Sequence, residues 1–188
     1  LKKVSPIRDK KEIEILKMYF ESKSIRDYLL FMIGINTNLR ISDLLHLKVS
    51  DVKKGKRIKR VIDITEGKTK KNKKIKINSN IEKALEEYFN ETDLNECDYL
   101  FPSKKNKMKP ITRQQAHHIL SQAGNYCGIE DSISPHTLRK TWGYHAWKMG
   151  ISPALIMEAL NHGSIQMTKK YLGILQDDLD EVYVSLNL

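Results

Sequence analysis

Ser134-Pro135-His136-Thr137-Leu138-Arg139 carries a helix start and two side chains suited to an anion. A serine hydroxyl caps free amides, and proline is tolerated in a first helical turn because its missing N–H would be unpaired there anyway. His136 and Arg139 stand three apart, so they share one face within a turn of the helix start, where free amides and the positive end of the dipole favour negative charge. A phosphate placed there meets an arginine fork, an imidazole and backbone donors together.

Further along, Gly150 ends this helix and Ser152-Pro153 opens another in the same way. That helix is expected to stop near Asn161-His162-Gly163, and Ser164 caps the next, which contains Tyr171, nine residues after His162. Toward the N-terminus, Ile13, Ile15, Leu16, Tyr19 and Phe20 recur at helical spacing. Ser24 then opens a run, Tyr28 to Ile33, that is apolar on nearly all faces and therefore belongs in the core. A third helix follows Arg40, with Leu44, Leu45 and Leu47 turned inward. The period then changes: Val61, Ile62 and Ile64 are β-branched, and Ile75 and Ile77 alternate with polar residues, so two strands flank a turn at 66–70. Helical spacing returns from Ser79 through Phe89 and again from Thr112 to about Cys127.

The chain has 188 residues, 40% of them hydrophobic, which suits one domain with its own core. No run approaches the roughly 18 apolar residues that span a bilayer, and Leu1-Lys2-Lys3-Val4-Ser5-Pro6 leads into no apolar signal core, so no membrane association and a cytoplasmic location are expected. Cys97 and Cys127 lack metal or redox spacing and are expected to be packing residues. The net charge is +10, and it is clustered: Lys48 to Lys76 hold thirteen basic residues against Asp51, Asp63 and Glu66, and a second run from Lys104 to Arg113 holds no acid. A focused positive surface attracts a polyanion, and nucleic acid is the natural one, although charge alone fits a solvated surface equally well.

Taken together these segments resemble the tyrosine recombinase or phage integrase family, across essentially the whole chain. Thr37-Asn38-Leu39-Arg40-Ile41-Ser42-Asp43-Leu44 matches the box T-G-L-R-x-S-E/D-L, His136-Thr137-Leu138-Arg139 matches H-x-L-R, and Leu160-Asn161-His162-Gly163-Ser164 is similar to L-G-H-x-S/T with the nucleophile nine residues on. Gly67-Lys68-Thr69 resembles the context of the family's hairpin lysine, with Lys70 as the alternate. Asn38 and Asn161 replace glycines, in places where asparagine can also adopt a left-handed backbone.

The resemblance implies an α+β, mainly α fold, a helical bundle-like catalytic domain with a small antiparallel β-sheet at one edge, spanning 1–188. The family's usual N-terminal core-binding domain is then absent from this chain, as an excised piece or a natural short form. It also implies site-specific cutting and rejoining of DNA through a 3′-phosphotyrosine on Tyr171. Arg40 and Arg139 would clamp the phosphate, His136 would act as base, Lys68 as acid, and His162 as a hydrogen-bond partner of the phosphate. No metal and no cofactor are expected. DNA contacts are expected from Lys70, Lys71, Lys73, Lys105, Lys107, Arg113 and Gln114. The partner is double-stranded DNA, bound by a homotetramer that is a monomer when free. The tail, with Asp177, Asp178, Asp180 and Glu181 before Val182, Val184 and Leu186, either docks on a neighbouring subunit or stays with its own domain. The competing readings are a DNA-binding regulator that has lost the chemistry and a topoisomerase-like strand passer.

Overall fold

The computed structural model describes residues 4–173, 180 and 183–186. Helix α1 (Lys10–Lys23) ends at Ser24, whose N–H donates to the Phe20 carbonyl while its hydroxyl accepts from Asp27 N–H to start α2 (Ile25–Thr37). One serine therefore closes one helix and opens the next, turning the chain sharply. Tyr28 through Ile35 of α2 are all buried, as the all-round apolar pattern requires. Helix α2 is the central rod, packed against α1, α5 (Ser79–Glu91) and α7 (Pro135–Lys148). Around it Phe20, Phe31, Leu44, Leu85 and Tyr88 close the main core, with the rings of Phe20 and Phe31 stacked at 5.1 Å.

After α3 (Ile41–Leu45) come α4 (Val49–Val52) and a tight hairpin, β1 (Lys53–Lys54) with β2 (Arg57–Ile58). Strands β3 (Val61–Thr65) and β4 (Asn72–Lys76) form a second antiparallel hairpin. The expected single small sheet is thus, among the described residues, two separate two-stranded pieces. The first piece and α4 were hidden because they occupy the lysine-rich stretch, where charge masks periodicity. In the second hairpin Ile62 pairs with Ile75 and Ile64 with Lys73, so these four share one face, and Ile62 is fully buried there.

Helix α6 (Arg113–Tyr126) opens on a Thr112–Gln115 capping box. The Ser134-Pro135 start of α7, the Ser152-Pro153 start of α8 (Pro153–Leu160) and the Ser164 cap of α9 (Ile165–Leu172) all stand where the sequence put them. Ala146, Ile156, Leu160 and Leu172 form a second, smaller core, and Tyr171 packs at its margin. Cys127 is half-buried, but Cys97 is exposed, contrary to the expectation of two packing residues. Among the described residues no helix is long and apolar enough to cross a membrane. Of the acidic and apolar tail, Asp177, Asp178, Glu181 and Val182 lie outside the described residues.

The approach of α2 to α7 fixes where His136 and Arg139 stand, and it depends on Gly34. A Cβ there would come within 2.6 Å of Leu138 Cδ1, inside a core where Leu138 is itself buried. Gly34→Ala is expected to destabilise the chain by ~1–3 kcal/mol through overpacking, read as a lower denaturant midpoint with an unchanged m-value.

Candidate active site

Two left-handed asparagines prepare the site. Asn38 (φ 51°) terminates α2 and Asn161 (φ 52°) terminates α8, the conformation that their replacement of glycine called for. Between these two helix ends lies Arg139, buried, donating from Nη1 to the Asn38 carbonyl and from Nη2 to the Leu160 carbonyl. Both acceptors sit at helix C-termini, where the dipole is negative, so a buried guanidinium is favoured there.

Arg40 follows Asn38 and precedes α3. Its Nη1 lies 2.6 Å from Oε2 of Glu66, a carboxylate with no solvent exposure at the base of the β3–β4 turn. The same Oε2 accepts from the Thr69 hydroxyl at 2.6 Å and from Asn161 Nδ2 at 2.9 Å, while Oε1 lies 3.6 Å from Lys73 Nζ. Glu66 therefore ties the turn, Arg40 and the residue before His162 to one point. Sequence reasoning missed it, although it was the one acid in a lysine-rich turn. Asp43, inside the quoted arginine box, was also given no role: its Oδ1 accepts from Gly67 N–H at 3.0 Å and anchors the other side of that turn.

Lys73 departs from the expectation of a DNA contact: its side chain is 11% exposed and donates to Asn38 Oδ1 and to the Ala159 carbonyl, beside Glu66. The signal was present: Lys73 keeps step with Ile75 and Ile77, so strand alternation turns it inward with them. Burial, with Arg139 and Arg40 nearby, pushes its pKa down to about 8 against the pull of Glu66.

A cleft of about 1290 Å³ opens over this foundation and is lined by Arg40, Lys68, His136, Arg139, His162 and Tyr171, with Arg113 at its border. All six candidate catalytic residues thus meet at one place. Lys68 lines the cleft; Lys70, the alternate, takes the left-handed position of the turn (φ 57°) and does not. Lys70, Lys71, Lys105, Lys107 and Gln114 are exposed and contribute no lining.

Burial raises the Tyr171 phenol above its usual value, with the Arg139 charge, a side-chain hydrogen bond from Arg139 and the Arg40 charge pulling it only part of the way back. His136 is pushed down by burial, then by Arg139 and Lys140, and His162 by burial, Arg139 and Arg40. Both rings are therefore neutral at neutral pH. The His162 ring meets that of Tyr171 edge to face at 4.9 Å, and Lys140 Nζ lies 5.3 Å over the Tyr171 ring.

The model of the phage integrase family matches residues 7–176. The chain belongs to that family. It is 43% identical over 180 residues to the probable integrase/recombinase YoeC of Bacillus subtilis, covering 96% of this chain and 95% of that one. It is 31% identical over 166 residues to a tyrosine recombinase of Pseudothermotoga lettingae, covering 88% of this chain but 56% of that protein. The integrase chain thus spans nearly all of the first relative and little more than half of the second. Its fold matches the crystal structure of XerA recombinase with a TM-score of 0.79 at 22% identity, over 100% of this chain and 66% of that one.

Burial alone would raise the Glu66 carboxyl, but the Thr69 and Arg40 hydrogen bonds and the Lys73 and Arg40 charges outweigh it and hold the pKa at about 2, below the reference of 4.5. A carboxylate depressed on folding contributes stability above its unfolded pKa and loses it as pH falls through the folded one. Glu66→Gln is expected to lose a few kcal/mol at neutral pH, on the order of a broken buried ion pair, and the gap to wild type should close as pH falls from about 4.5 to about 2. Urea unfolding across that window reads it out; a gap independent of pH would contradict the assignment.

Proposed function

We propose that this integrase-family chain is a site-specific recombinase acting on double-stranded DNA in the cytoplasm, cutting and rejoining strands through a covalent bond between Tyr171 and the 3′ phosphate. The observation that carries this reading is the convergence of a phenol, two guanidiniums, two neutral imidazoles and a lysine on one cleft.

A phosphodiester accumulates charge on its non-bridging oxygens as a nucleophile adds. Arg40 and the N–H groups of Arg139 not bonded to carbonyls would hold those oxygens, more tightly as the charge grows. With its phenol raised by burial, Tyr171 does not attack as a preformed phenolate. Its proton passes to neutral His136 as the Tyr171 oxygen bonds to phosphorus, and the bond from phosphorus to the 5′ oxygen breaks with a proton delivered by Lys68. The phosphotyrosine conserves the bond energy, so the freed 5′ hydroxyl, on the same or another duplex, attacks it and restores the phenol without ATP. The exposed Lys70, Lys71, Lys105, Lys107, Arg113 and Gln114 would follow the DNA backbone around the cleft. On DNA the assembly is proposed to be a homotetramer formed from free monomers.

The test is a nicked oligonucleotide substrate that traps the covalent adduct. Wild type is expected to form a denaturant-resistant adduct, mapped to Tyr171 by mass spectrometry, and Tyr171→Phe none while still folding. DNA binding without an adduct on any substrate would instead mark a regulator that has lost the chemistry. Lys68→Ala is expected to slow cleavage by roughly 10²–10⁴-fold, the usual worth of a general acid. A substrate with sulfur in place of the 5′ bridging oxygen, whose leaving group needs no proton, should cancel that loss, whereas Lys70→Ala should lose affinity rather than rate. Neutralising Lys105 and Lys107 together should reduce the slope of log affinity against log salt by about 2 if both reach phosphates.

A further inference from the structure

The structure points to a role for a residue outside all three quoted boxes. His162 is neutral in the folded chain, so it carries one N–H, and it can donate a hydrogen bond to a phosphate in the cleft only if that proton sits on the nitrogen facing the ligand. Its Nδ1 is 3.1 Å from the hydroxyl of Thr168. Thr168 lies in α9 one turn before Tyr171 and has no solvent exposure, so no water competes for its single proton. Two acceptors lie within reach of that proton. The Ser164 carbonyl is farther, at 3.3 Å, and already receives the Thr168 backbone N–H; Nδ1 is nearer and shared with nothing else among the described residues.

We infer that Thr168 is a positioning residue: its hydroxyl donates to Nδ1 of His162 and thereby fixes the ring proton on Nε2, making the cleft-facing nitrogen a donor to the phosphate. Arg139 and Arg40 disfavour a charged ring, so the donor must be a neutral imidazole with its one proton on the right nitrogen. A hydroxyl held on the far nitrogen by α9 is what keeps the donor in place. The same helix carries Tyr171, so the geometry of nucleophile and donor is set by one element.

The inference rests on the recombinase reading for its catalytic consequence but not for its structural core, and the experiment separates the two. Long-range ¹⁵N–¹H correlation spectra of the ¹⁵N-histidine-labelled free chain are expected to show His162 protonated at Nε2. Thr168→Val, which keeps the shape and removes the hydroxyl, should shift His162 toward the Nδ1–H form, and Thr168→Ser should restore the wild-type spectrum. In single-turnover cleavage, the Val variant should lose at least about tenfold in rate with DNA affinity changed less than about threefold, and Ser should recover the rate, as expected for one lost transition-state hydrogen bond. A wild-type spectrum showing Nδ1–H overturns the inference, whatever the activity. So does a Val variant that cleaves like wild type while wild type forms the Tyr171 adduct. If wild type forms no adduct the recombinase reading falls, and the tautomer spectrum still decides the Thr168 assignment. Should the Val variant not fold, the wild-type and Ser spectra decide it.

Discussion

A carboxylate with no access to water is a costly thing to bury, and the site depends on one. Glu66 is tolerated because it meets the cations Arg40 and Lys73 and two neutral donors, Thr69 and Asn161. Removing it would leave Arg40, Lys73 and Arg139 repelling one another across a space of low polarity. One anion against three cations does not neutralise the site, and the surplus is what a phosphate in the cleft would meet. The arrangement holds the arginines in place without cancelling their attraction for a ligand.

The second constraint is the placing of Arg139 on the carbonyls at the ends of α2 and α8. It joins the central rod of the main core to the smaller core beneath Tyr171, so the arginine proposed to hold the phosphate is also a strut between the two apolar clusters. Lys68, in contrast, sits on an exposed turn and owes its position to the bonds that Thr69 donates to Glu66 and Gly67 N–H donates to Asp43. Arg139 is therefore set in a packed helix, while Lys68, the proposed proton donor, hangs from a polar latch.

Much of this could be read from the sequence because the devices are local. Serine caps, prolines in first turns and left-handed asparagines each act within a few residues: α7 and α8 began and ended where such signals lay, and α9 began at its serine. The spacing of the boxes carried the rest of the site. What escaped was set by contacts distant in sequence. Glu66 acquires its meaning from Arg40 and Asn161, 26 and 95 residues away, and being the one acid in a lysine-rich turn does not by itself announce a buried anion. Lys73 was read as a DNA contact because composition, a crowd of lysines, outweighed strand parity. Helix α4 and the β1–β2 hairpin are too short for periodicity to register.

Asn38 does two jobs: its backbone carbonyl receives Arg139 and its side-chain oxygen receives Lys73. Glycine, which the family's arginine box places there, supplies the carbonyl and the left-handed turn but has no oxygen to offer a lysine. A buried lysine at position 73 and an asparagine at position 38 thus answer one another. Exchanging Asn38 for glycine would cost the ammonium one of its acceptors, leaving the Ala159 carbonyl and Glu66, and exchanging Lys73 for an apolar residue would leave the Asn38 amide oxygen without its donor. The two positions, 35 residues apart, should drift as a pair among near relatives, whatever DNA sequence each has come to recognise.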